Sequence, residues 1–87
     1  MKGSFTQIKI NHSSIVPMYM QLAEALIEYV KDGKVSPGDA LPSLHDYSIY
    51  LDVSPKTVEK AYNLLKKQGL VRSYMGKGYA LAEFDRN

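Results

Sequence analysis

Cysteine and tryptophan are both missing from this chain of 87 residues. Without cysteine, disulfides, thiolate zinc sites and thiol catalysis are excluded together. Histidine is almost as scarce. His12 and His45 stand far apart with no second ligand at metal spacing, so no metal site is expected. No apolar run approaches the roughly 18 residues of a membrane span, and the N-terminus has no hydrophobic segment of the secretory type. Charge of one sign is lacking too: the formal net charge is only +2. Any grip on nucleic acid must therefore come from local placement of Lys and Arg rather than from a global field. The expectation is a soluble protein of the cytoplasm with no membrane partner.

These absences also argue against an enzyme. The acids and histidines are dispersed, no nucleophile–base pair is suggested by spacing, and a domain this short has little room for a substrate pocket. The Gly- and Pro-bearing loop around Pro37-Gly38 lacks the G-x-x-x-x-G-K-[ST] pattern of a phosphate-binding loop. No catalytic residue and no cofactor is expected.

What remains is 45% hydrophobic and 23% charged, the composition of one small globular domain. Its most organised stretch runs from Asp52 to Gly69. Ser54 is a good N-cap, Pro55 falls at the first helical position, and Lys66 and Lys67 precede Gly69, which suits a left-handed C-cap. Val58, Ala61, Tyr62 and Leu65 recur at helical spacing and form an apolar face. Lys56, Thr57, Lys60 and Asn63 stand on the other faces. Lysines on the outside of a helix are usually just solvated, so this face alone is weakly diagnostic of DNA.

The neighbouring segments add weight. Residues 1–14 read as an arm in which Ile8 and Ile10 alternate with polar residues, a short strand or extended segment. His12 falls in the polar turn that follows and reads as a solvated loop residue. Pro17 to Asp32 is a helix whose stripe is Tyr19, Leu22, Ala23, Leu26, Ile27 and Val30, closed by Gly33. Tyr19 and Tyr29, at helical spacing, read as core. Pro37-Gly38 is a turn, with Val35 and Leu41 anchoring its loop. Ser43 to Leu51 is a short helix with Ser43 and Asp46 spaced as a capping box and Leu44, Tyr47 and Leu51 on one side. Its short link to the Asp52–Gly69 helix makes a helix-turn-helix arrangement. Leu70 to Tyr74 and Tyr79 to Ala82 read as strands joined by Met75-Gly76-Lys77-Gly78, a hairpin with Lys77 at its tip. The fold class is α+β, mainly α: three helices plus a small antiparallel hairpin wing over residues 15–82, then a polar tail, 83–87, in which Phe84 packs. The expected core is Leu22, Leu26, Ile27, Val30, Leu41, Leu44, Leu51, Val58, Tyr62, Leu65 and Val71.

Four blocks carry a family resemblance: P-M-Y-M-Q-L-A from Pro17, G-K-V-S-P-G-D-A-L-P-S from Gly33, V-S-P-K-T-V-E-K-A-Y from Val53 and Q-G-L-V-R-S-Y-M-G-K-G-Y from Gln68. Together they resemble the winged helix-turn-helix domain of GntR-type bacterial transcription regulators, and T-V-x-K-A-Y is most similar to the YtrA-like branch. The resemblance implies sequence-specific binding of double-stranded DNA at a palindromic operator, as a homodimer, usually to repress. It places the DNA-facing positions on Ser43 and His45, on Ser54, Pro55, Lys56, Thr57, Glu59 and Lys60, and on Gly76, Lys77 and Gly78. His45, Pro55 and Glu59 stand where the family often carries arginine, the usual bidentate reader of guanine. Lys56, Thr57 and Lys60 are thus the better candidates for groove contacts. The resemblance also implies a C-terminal domain for an effector ligand, of unknown identity: either that domain lies outside this chain, or this is a minimal protein that dimerises by other means. The competing reading is a winged-helix module that binds protein rather than DNA.

Overall fold

The computed structural model describes residues 3–74 and 78–82. Its elements are a 3-10 helix at Gly3–Gln7, α1 (Met18–Lys31), α2 (Leu44–Leu51), α3 (Pro55–Lys67), β1 (Val71–Ser73) and β2 (Tyr79–Leu81).

The helix ends are built by local chemistry. Ser43 caps α2 by accepting from the Asp46 N–H at 3.0 Å, and Ser54 caps α3 by accepting from the Thr57 N–H at 3.2 Å. Helix α1 starts differently. Pro17 sits just before it as the cap residue rather than inside it, and supplies no side-chain hydrogen bond. The C-termini of α1 and α3 share one device. Gly33 (φ 73°) donates to Val30 O and Lys34 to Tyr29 O; Gly69 (φ 80°) donates to Lys66 O and Leu70 to Leu65 O. A left-handed glycine closing two such bonds satisfies carbonyls that the helix end would otherwise leave open. Helix α2 instead ends on Asp52 at φ 56° and ψ 51°, a left-handed conformation that a short polar side chain tolerates.

Helices α1 and α2 both pack against α3. The strands β1 and β2 pair antiparallel, with Val71 opposite Leu81, Arg72 opposite Ala80 and Ser73 opposite Tyr79. The loop after α1 adds a third edge: Ala40 bridges Ala80, Leu41 N–H donates to Tyr79 O, and Leu81 N–H to Asp39 O. The loop anchors Val35 and Leu41 are buried accordingly.

One segment differs from its sequence reading. Where a strand or extended arm is expected, Gly3–Gln7 form a 3-10 helix. Phe5 lies in that turn and Ile8 just beyond its end, and both are buried in the common core. Ile27 and Leu44, expected as core, are half-buried at its margin. Phe84 and the tail lie outside the described residues.

Two tyrosines lock the centre. Tyr47 is fully buried and its hydroxyl donates to Phe5 O at 2.8 Å; Tyr62, equally buried, donates to Pro42 O at 2.8 Å. Burial pushes both phenols well above the ordinary tyrosine range, so each stays a neutral donor.

Candidate nucleic-acid interface

Helix α3 presents its N-terminal end to solvent. Ser54, Pro55, Lys56, Glu59 and Lys60 are exposed, while Val58, Ala61, Tyr62 and Leu65 face the core. The first turn is ordered by its own hydroxyls: Ser54 Oγ and Thr57 Oγ1 share a hydrogen bond of 3.0 Å while Ser54 Oγ also caps the helix. Thr57 is half-buried, so its side chain braces the turn as well as edging the surface. Ser43 and His45 are exposed at the start of α2, with the Ser43 hydroxyl occupied by the Asp46 cap.

The turn that sets α3 against α2 is held from two sides. Within the turn, Val53 N–H donates to Ser48 O at 3.1 Å. From the arm, His12 Nε2 donates to Asp52 O at 2.8 Å. The arm is positioned in turn by Gln21 on α1, which accepts from Asn11 N–H and donates to the carbonyls of Asn11 and Val16. His12 remains exposed, as a loop residue should, but it is bonded rather than merely solvated. Spacing along the chain carries no signal for that contact.

Lys60 is placed differently from Lys56. Its ammonium lies over the Tyr19 ring of α1, 4.3 Å from the centroid. Tyr19, read from sequence as core, is half-buried and forms part of this surface. At the far end of α3, Lys66 Nζ donates to Ser73 Oγ at 3.2 Å, tying the helix to β1. In the wing, Gly78 has φ 120° and its carbonyl accepts from Tyr74 N–H at 2.9 Å. Gly76 and Lys77 lie outside the described residues. Among the described residues no group of three or more His, Cys, Asp or Glu side chains could hold a metal ion, and no helix is long and apolar enough to cross a membrane.

Two helices joined at a tight turn, the second exposing a polar and cationic N-terminal end and followed by a β-hairpin, define a winged helix-turn-helix domain of the DNA-binding class. The family of bacterial regulatory proteins called the gntR family matches residues 18–81, and the chain belongs to it. Its relatives and its fold are those of transcription regulators, not enzymes. The chain is similar to the HTH-type transcriptional repressor YtrA of Bacillus subtilis, 33% identical over 76 residues that make up 87% of this chain and 58% of that protein. It is also similar to the YhcF regulator of the same organism, 31% identical over 77% of this chain and 55% of that one. The chain thus spans little more than half the length of these two relatives. Among solved structures, YtrA from Sulfolobus acidocaldarius, a GntR-family transcription factor, superposes with a TM-score of 0.83 at 36% identity, covering 90% of this chain and 82% of that one. The AraR DNA-binding domain in complex with operator ORX1 superposes with a TM-score of 0.73 at 30% identity, covering 83% and 89%.

Proposed function

We propose that this chain is the operator-binding part of a transcriptional repressor that acts in the cytoplasm and binds a palindromic site as a homodimer. The observation that carries this reading is the exposed, Ser54-capped start of α3, with Lys56 beside it and the turn behind it pinned by His12. A helix in the major groove reads base edges with its N-terminal residues, and a lysine there donates to guanine O6 or N7. Ser43 and His45, exposed at the start of α2, would contact the phosphates that flank the groove. Of the positions the family resemblance assigns to DNA at Gly76, Lys77 and Gly78, Lys77 would add affinity rather than sequence choice, because minor-groove edges are degenerate. The similarity to a repressor, and to a domain solved with operator DNA, supports the assignment.

A second reading, a winged-helix module that docks protein, has Ile49 and Tyr50 in its favour, 66% and 59% exposed on α2. Selection of bound sequences from a random duplex pool, followed by affinity measurements over a range of salt, separates the two. Winners with paired half-sites about one helical turn apart, bound by two protomers, are the expected result. A chain with neither salt-dependent duplex binding nor an enriched sequence is not a repressor domain.

A further inference from the structure

Lys56 and Lys60 are one turn apart on α3, yet only Lys60 is engaged by α1. The contact with Tyr19, at 4.3 Å, is well inside the range of about 6 Å over which a ring attracts a cation. Tyr19 packs against the core, so the ring is a fixed platform rather than a loose side chain. Around it, Asn63, Leu64 and Lys67 complete a groove of about 210 Å³ between the start of α1 and the outer side of α3.

Position along the helix decides what Lys60 can reach. From Ser54 to Lys60 the axis rises roughly 9 Å at 1.5 Å per residue, and the major groove is about 8.5 Å deep. A helix that reads bases with its N-terminal residues therefore keeps Lys56, roughly 3 Å from the tip, among the base edges. If α3 enters the groove end-on, by its N-terminus, Lys60 stands at the groove's rim, where the phosphates are. We propose that Lys60, seated on the Tyr19 ring, contacts a backbone phosphate at the edge of the half-site instead of reading a base, with Tyr19 as its positioning residue. This rests on the DNA-binding reading above and sharpens it. An ammonium lying over a ring still has N–H donors directed away from the ring, and lysine binds phosphate as a point charge without the planar geometry arginine needs. Holding the charge on a platform removes part of the entropy otherwise lost when a long side chain is ordered by the contact. Lys67, roughly 20 Å from the tip on the same rise, lies beyond the groove and makes a control.

The test compares wild type with Lys60→Ala, Tyr19→Leu, Tyr19→Phe and Lys67→Ala on a selected operator and on random duplex, across a range of salt. Lys60→Ala is expected to weaken both DNAs by the same factor, roughly three- to tenfold, and to lower the salt slope by about 1 with base preferences unchanged. Tyr19→Leu should lose part of the same affinity and slope, while Tyr19→Phe, which keeps the ring, should match wild type. A neutral methylphosphonate at the rim phosphate should abolish the difference between wild type and Lys60→Ala. A changed preference at one base pair in Lys60→Ala would make it a base reader and overturn the proposal. Unchanged affinity and slope on both DNAs would overturn it as well, and a Phe variant as weak as the Leu variant would remove the ring from it. Lys60 is exposed, so its variant tests the phosphate contact even where Tyr19→Leu loses stability. Wild type that binds no duplex would bring down the functional reading itself, an outcome distinct from all of these.

Discussion

The imidazole of His12 donates from Nε2 to the backbone carbonyl of Asp52, 2.8 Å away across a sequence separation of 40 residues. Asp52 is the left-handed residue that turns α2 into α3, so this bond ties the arm to the turn from which the exposed end of α3 is presented. His12→Ala is expected to cost about 1 kcal/mol of stability, the net worth of one such bond. It should also raise amide exchange at Val53 and weaken operator binding more than the stability loss alone explains. Exchange measured by NMR, beside a urea melt, checks this. Unchanged exchange at Val53 would mean that the turn holds itself.

Tyr47 and Tyr62 make the protein sensitive to alkali. Both phenols are raised in the fold, chiefly by burial, so the native state holds their protons more tightly than the unfolded chain does. Their contribution is complete below the unfolded value of 10.0 and is lost as pH climbs above it. There the unfolded state binds fewer protons, and stability falls by up to about 1.4 kcal/mol per pH unit for each group. Urea melts between pH 8 and about pH 11 should show that decline, and Tyr47→Phe or Tyr62→Phe should flatten it. At neutral pH each Phe variant should cost about 1–3 kcal/mol, because Phe5 O or Pro42 O is left buried without its donor.

Leu65 sits on the buried face of α3 with almost no exposure. Leu65→Ala is expected to cost roughly 2–5 kcal/mol, transfer and cavity terms together. For a domain of this size that is much of the total stability. A thermal melt coincident with wild type would contradict the packing of α3.

Lys56 is the base reader to test. Lys56→Ala should cost about 1–3 kcal/mol on the selected operator and relax preference at one or two base pairs, with a smaller loss on random duplex. Lys31→Ala is the control, since Lys31 lies at the far end of α1, exposed and paired with Glu28 at 4.0 Å. Equal, small losses on both DNAs for Lys56→Ala would show that this helix does not read sequence.

The helices and their limits were legible along the chain because their causes are local. Ser43 and Ser54 cap by bonding an N–H three residues on, and Gly33 and Gly69 close helices by adopting a φ that other residues resist. The stripes of α1 and α3 name their buried faces because burial on a helix follows its 3.6-residue period. The hairpin was legible for the same reason, its two glycines standing between apolar runs. The arm was not. Its short alternation suits a strand as well as a turn, and only the space beside Tyr47 puts Phe5 and Ile8 in the core. The bridge of Ala40 to Ala80, the bond from His12 to Asp52 and the seat of Lys60 on Tyr19 likewise join residues far apart in sequence. No periodicity or cap foretells such pairs, since they exist only once packing has set the distance between elements. The amino-acid sequence alone thus determined where the three α-helices lie, which faces they bury and which side chains stand at the start of α3. The tertiary structure decided that Lys56 stays clear of α1 while Lys60 is drawn onto it, because the approach of two helices, not the spacing of residues within one, sets where a flexible side chain comes to rest.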